Sequence, residues 1–220
     1  MRGIDNTIDH PIFLQSIAFI KAQLGVTGLD PIQQQVLERL IHSSGDFGLQ
    51  ASLRFSSFSC EKGIAAIQAG APILTDTSMA LAAVAPMALR TSKSKVLSVL
   101  DWVPEQRLVG SQSRTAYGME RAWKELSNEC SKAQSPIVLI GSAPTALEAL
   151  LDLVLNGALP PSLIVGMPVG FIGVEQSKRR LSKSGLSNIR LDGSRGGAGL
   201  AAAVMNALLR ASFQQGFEGV

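Results

Sequence analysis

The chain has 220 residues, of which 46% are hydrophobic and only 17% charged, with 20 Lys and Arg against 17 Asp and Glu. This composition excludes a disordered chain, and the length allows roughly 70% of the unfolded surface to be buried without disulfides or a structural metal. The scattered basic residues behind the net charge of +3 leave no nucleic-acid footprint. No apolar run reaches the ~18 residues of a membrane span, and residues 1–6 open no signal peptide, so a cytoplasmic protein is expected.

The first third reads as helical. Asp9 is expected to cap a helix that starts near Pro11, carries Ile12, Phe13, Ile17 and Ile20, and ends at Gly25. Asp30-Pro31 is a second cap with proline in the first turn. Ile32, Val36, Leu37, Leu40 and Ile41 then recur at three- and four-residue spacing, giving an amphipathic helix that stops near Gly45. A third helix is expected from Ser57 or Ser59 to Gly70.

After Gly70 the rhythm changes to short apolar runs alternating with helical stretches. Strands are expected at 73–75, 96–100, 137–140, 163–165 and 188–191. Helices are expected from 77, and over 113–129, 145–155, 174–184 and 199–209, with a loose tail over 214–220. Strands separated by helices need crossover connections, hence a parallel sheet covered on both faces. The expected fold is α/β: a three-layer α/β/α arrangement around a doubly wound, mostly parallel sheet of about five strands. It forms one domain over 1–220, with an N-terminal helical segment over about 9–70 and the sheet core over about 71–210.

Ligands of such sheets bind beyond the carboxyl ends of the strands. There the sequence places Asp76 and Met79; Asp101-Trp102 with Gly110-Ser111-Gln112-Ser113-Arg114-Thr115; Gly141-Ser142-Ala143-Pro144-Thr145; Gly166-Met167-Pro168-Val169-Gly170-Phe171; and Gly193-Ser194-Arg195-Gly196-Gly197-Ala198-Gly199. Glycine, small hydroxyls, arginine and helix-start amides at one edge suit a large anionic ligand. G-x-G-x-x-G in register, G-x-x-x-x-G-K-[ST] and G-x-S-x-G are all missing, which argues against dinucleotide, nucleoside triphosphate and serine-hydrolase chemistry. Cys60 and Cys130 form no C-x-x-C, read as reduced helix residues, and with two histidines make no zinc site. Lys178-Arg179-Arg180 reads as a solvated helix face.

His10 reads as a surface residue. His42 stands in the last turn of the second helix, on a face with Glu38 and Arg39. A helix C-terminus favours the imidazolium, and Asp46 is near enough in sequence to orient it or raise its pKa further, so His42 is the candidate general acid.

These motifs together resemble the precorrin-8X methylmutase family, which includes the cobalt-precorrin-8 methylmutases of cobalamin biosynthesis. The resemblance runs from about Ile12 to Leu209. It is carried by Ile12-x-x-x-Ser16, His42-Ser43-Ser44-Gly45-Asp46, Gly70-Ala71-Pro72-Ile73-Leu74-x-Asp76-x-x-Met79, Ser113-Arg114-Thr115-Ala116, Ala143-Pro144-Thr145-Ala146-Leu147, Gly166-Met167-Pro168-Val169-Gly170-Phe171-Ile172-Gly173 with Glu175-x-Ser177-Lys178, and Gly196-Gly197 before Asn206-Ala207-Leu208.

The resemblance implies an isomerase that moves a methyl group from C-11 to C-12 of a corrin precursor, with no cofactor and no resident metal. It implies His42 as the catalytic proton donor. Ser16, Asp76, Arg114, Ser142, Thr145, Arg195, Gly196 and Gly197 are implied as substrate-binding residues: the arginines and the helix-start amides of Thr145 and Gly197 take carboxylates of the tetrapyrrole. It further implies a homodimer with the site near the interface, and no nucleic-acid or membrane partner. Ser142, Asp192, Ser194 and Ala198 stand where the family often has other residues, leaving Arg195 as the loop's carboxylate contact. Two competing readings are a non-catalytic corrinoid carrier and another α/β enzyme using the same anion-binding edge.

Overall fold

A computed structural model describes residues 9–106 and 112–218. Residues 107–111, which include Gly110 and Ser111, lie outside the described part, as do residues 1–8 and 219–220.

Helix α1 (Pro11–Leu24) starts as the proline predicts, but its cap is His10, whose Nδ1 accepts the Ile12 N–H at 3.3 Å. Asp9 is unavailable because its carboxylate pairs with Arg210. Helix α2 (Pro31–Ser44) follows the expected signals at both ends. Asp30 Oδ1 accepts the Ile32 and Gln33 amides, each at 2.9 Å, and Gly45 closes the helix in the left-handed region at φ 68°, donating its N–H to Ile41 O. Val36, Leu37, Leu40 and Ile41 form its buried face. Helix α3 (Ser59–Gln68) lies where the spacing places it.

Between α2 and α3 the structure adds a strand that the pattern does not announce, β1 (Leu53–Phe55). It is three residues long, and its middle residue, Arg54, is exposed. The other strands are β2 (Ile73–Thr75), β3 (Val96–Ser98), β4 (Ile137–Ile140), β5 (Leu163–Gly166) and β6 (Asn188–Leu191). The sheet therefore has six strands rather than about five, in the order β1-β6-β5-β4-β2-β3. Only β1 is antiparallel, pairing Leu53 with Leu191 and Phe55 with Ile189. The expected continuation of β3 through Leu100 instead turns into a short 3-10 segment, Val99–Trp102, closed by reciprocal capping between Ser98 and Asp101.

Residues of β2, β4 and β5 are buried on both faces, which explains their unbroken Ile, Leu and Val runs. Helices α1, α2, α3, α4 (Ser78–Thr91) and α8 (Ala198–Glu218) supply the core of one face. Helices α5 (Arg114–Glu129), α6 (Pro144–Leu155) and α7 (Val174–Lys183) supply the other. The chain steps from β2 outward to β3, then returns past β2 to β4 and continues to β5 and β6. The winding thus reverses between β2 and β4, so right-handed crossovers put helices on opposite faces and open a crevice at those carboxyl ends.

Two expectations at the C-terminal end change. Helix α8 runs on to Glu218, so residues 214–218 are helical rather than a loose tail. The basic cluster on α7 is also not a uniform solvated face. Arg179 is exposed and Arg180 pairs with Glu148 and Asp152, but Lys178 is buried at 1% exposure.

Asp30→Ala removes the acceptor for two first-turn amides of α2. It is expected to lower unfolding stability by about 1 kcal/mol, measured by urea denaturation, with no change in the slope of the transition.

Candidate active site

His42 and Ser16 open into one cleft between α1 and α2, of about 570 Å³, walled by Ile12, Phe19, Ile41 and Phe47. The His42 ring is exposed on this side and meets the edge of Phe13 at 5.0 Å between centroids, at 85°. Phe13 is in turn covered by two guanidinium groups, Arg39 at 4.9 Å and Arg210 at 4.5 Å. Glu38 does not share the exposed side of His42. It is buried, accepting from Gln34 at 2.9 Å.

The expected rise in the His42 pKa is overturned. Partial burial pushes it below the ordinary histidine value, and the positive charge of Arg39, one turn earlier on α2, pushes it the same way. Two reasons explain why the helix end and Asp46 do not prevail. Two carbonyls of the last turns are already used, with Gly45 N–H on Ile41 O and Ser44 Oγ on Leu40 O. Asp46 is engaged elsewhere: it accepts the Gly48 amide at 2.8 Å and forms an ion pair with Arg195 at 3.0 Å.

At the winding reversal, Asp76 is fully buried after β2. Its Oδ2 accepts three consecutive amides of the β4–α6 turn: Gly141 at 3.1 Å, Ser142 at 2.7 Å and Ala143 at 2.8 Å. Burial raises its pKa against the opposing pull of those three donors. Asp76 thus holds the turn that carries Ser142 rather than facing open space, while Met79 is exposed on the first turn of α4.

Thr145 opens α6, whose cap residue Ala143 offers no side-chain acceptor. Its hydroxyl lies 2.6 Å from that of Ser113, the cap of α5, and 3.4 Å from that of Thr115. Arg114, exposed, begins the same helix. The starts of α5 and α6 therefore converge, bringing Arg114 and Thr145 to one place.

The β6–α8 loop closes the edge. A Cβ on Gly196 would fall 2.0 Å from Met167 O, and one on Gly141 would fall 2.5 Å from Ala198 Cα, so both positions require glycine. The Gly197 amide, expected to be a free donor for a carboxylate, is used by Met167 O at 2.9 Å. From this loop Arg195 reaches across to Asp46, lying over Gly48.

The structure therefore gathers Asp76, Ser142, Gly196 and Gly197 at the strand ends, and Ser16 with His42 in the α1–α2 cleft. The Arg195–Asp46 pair spans the two groups. Missed from the sequence was Lys178, whose Nζ donates to Gly193 O at 2.7 Å and Arg195 O at 2.6 Å. Its signal was legible: Val174, Lys178 and Leu181 share helical spacing, so the lysine sits on the buried face of α7. Burial lowers its pKa to about 8. Among the described residues no group of three or more His, Cys, Asp or Glu could hold a metal ion, and no helix is long and apolar enough to cross a membrane.

A family model of precorrin-8X methylmutases matches residues 11–211. The chain belongs to the precorrin-8X methylmutase family. It is 34% identical to the precorrin-8X methylmutase of Pseudomonas aeruginosa, over 90% of this chain and 93% of that one. It is 30% identical to the cobalt-precorrin-8 methylmutase of a Synechocystis strain, over 95% and 99% of the two chains. The crystal structure of the Thermus thermophilus precorrin-8X methylmutase superposes with a TM-score of 0.80 at 32% identity, covering 93% of this chain and 97% of that one. The six-stranded, mostly parallel α/β fold is thus the methylmutase fold, and the chain is an isomerase of cobalamin biosynthesis.

Asp76→Ala leaves one buried and two half-buried amides without their acceptor, at about 1–3 kcal/mol for each buried group. A loss of at least ~3 kcal/mol in urea denaturation is expected, and Asp76→Asn, which keeps one acceptor oxygen, should lose less.

Proposed function

We propose that this chain moves the methyl group from C-11 to C-12 of precorrin-8X or its cobalt-containing counterpart, giving hydrogenobyrinate or cobyrinate, with His42 as the proton donor. One observation carries the assignment of His42: within the span matched by the methylmutase family, the imidazole faces a cleft that also contains Ser16. Protonation of the conjugated macrocycle makes it electron-poor, so the methyl group migrates with its bonding pair at lower cost. The proton leaves again when conjugation is restored, and no co-reactant is consumed. General acid action of this kind contributes about 10²–10⁴-fold, and holding the ring in a migration-ready shape adds to it.

The depressed pKa of free His42 fits this role once the ligand is considered. Burial is the larger cause of that lowering and the charge of Arg39 the second; the carboxylates of a bound polyanion oppose both by favouring the imidazolium. Binding therefore loads the acid. Arg195 and Arg114 take carboxylates as charge-assisted hydrogen bonds, with Thr145 and Ser142 beside them. Ser16 contacts the ring edge. Asp76, Gly196 and Gly197 act through the shape of the turns they hold.

We infer further that the working form is a cytoplasmic homodimer with no nucleic-acid partner. The cleft of about 570 Å³ takes only part of a tetrapyrrole, and Phe171 and Ile172, on the loop after β5, are 90% and 89% exposed. Apolar side chains so displayed beside a binding edge suit a second subunit that completes the enclosure.

Two outcomes follow for His42. His42→Ala should retain binding of the methyl-shifted product, read by absorbance titration, but lose about 10²-fold or more in kcat; turnover that survives with binding intact overturns the acid role. The pH profiles of wild type should separate. kcat/KM falls as pH rises through a midpoint below the ordinary histidine value, because it reports free enzyme. kcat falls at a higher pH, because bound polyanion stabilises the imidazolium.

A further inference from the structure

Lys178 carries an ionisable amine yet is only 1% exposed, on the inner face of α7. Two of its three ammonium donors end on main-chain carbonyls two residues apart, Gly193 O at 2.7 Å and Arg195 O at 2.6 Å. A buried ammonium is costly unless its donors are taken up, so this arrangement fixes both carbonyls in one orientation. The same loop is pinned from its other side, where Gly170 N–H donates to Ser194 O and Gly197 N–H donates to Met167 O. Between these anchors the Arg195 side chain projects outward, half-exposed, to Asp46 at 3.0 Å. Asp46 in turn caps the 3-10 turn Phe47–Ala51 that follows the His42 end of α2.

We propose that Lys178 is a positioning residue of the methylmutase site, fixing the β6–α8 loop so that Arg195 is presented to a substrate carboxylate while it braces the turn beside His42. The proposal rests on the assignment of Arg195 as a carboxylate contact. It gives the buried lysine a place in substrate affinity, acting through Arg195 rather than by touching substrate.

The test is a double-mutant cycle in the full-length protein. Lys178→Met keeps the length of the side chain and removes the donors. It is expected to raise KM about tenfold with kcat changed by less than about threefold, and Arg195→Ala should do the same. In the double variant the KM should match Arg195→Ala alone, because the effect of Lys178 passes through the missing guanidinium. The fall in Tm caused by Lys178→Met should nevertheless persist in both backgrounds. A purely structural lysine would not give this split between stability and KM. If Lys178→Met does not fold, Lys178→Gln, which retains an amide donor, replaces it in the same cycle. KM increases that multiply in the double variant, or a KM unchanged by the lysine substitution, overturn the proposal while leaving the function intact. An Arg195→Ala variant with wild-type KM overturns the proposal together with the carboxylate role of Arg195. A wild-type protein without turnover overturns the function itself.

Discussion

The Asp76 carboxylate is the constraint on which the binding edge depends. Reversal of the winding leaves β2 and β4 as neighbours whose connections leave on opposite faces of the sheet. The turn after β4 presents three consecutive amides, Gly141 buried and Ser142 and Ala143 half-buried, that need an acceptor. One oxygen of Asp76 accepts all three. Three N–H donors on one carboxylate oxygen make a fixed point from which α6 departs, and Thr145 is set relative to α5 as a result. The glycines work in the same sense. Gly141 and Gly196 let neighbouring turns approach to distances that any side chain would prevent, so the loops after β4, β5 and β6 form one block rather than separate flexible connections.

Charge in this block is arranged with the ligand left out. Arg39 and Arg210 both lie over the Phe13 ring, and partial burial, with the charge of Arg39 second, lowers the pKa of His42, the proposed acid. Taken alone, that is a poor design for proton donation. The proposed polycarboxylate ligand would supply negative charge that opposes that lowering. Asp46 contributes little to this balance because Arg195 occupies it.

Much of this was legible from residue order. Caps such as Asp30-Pro31 and Gly45, and the Ile, Leu and Val runs of β2, β4 and β5, act through local geometry and burial on both faces, so the pattern alone specifies them. The edge strand β1 was not legible. Three residues with one charged side chain outward carry no periodic signal, and the strand exists because β6 offers it a partner. Asp9 illustrates the same limit. Its local capping role was lost to Arg210, some two hundred positions along the chain, which no local pattern encodes. The site shows both cases. His42 is three residues before the Gly45 cap and Ser16 five after Pro11, and both fall in one cleft, whereas the use of the Gly197 amide by Met167 depends on how two loops pack.

An intramolecular rearrangement asks unusual things of such a scaffold. Nothing has to be delivered besides a proton, and nothing leaves, so binding energy can go almost entirely into the shape and charge of one ligand. The architecture divides along those lines. The sheet edge is rigid, with buried Asp76 and Lys178 each neutralising main-chain polarity in the turns they hold. His42, the proposed proton donor, lies apart from it, on an exposed helix end beside Phe13 and Arg39. Arg195 is the one side chain that belongs to both, with its main chain held by Lys178 and its guanidinium at the His42 turn. With Arg195 in its proposed role as a carboxylate contact, a ligand seated on the sheet edge would reach the charge beside His42 through this one ion pair.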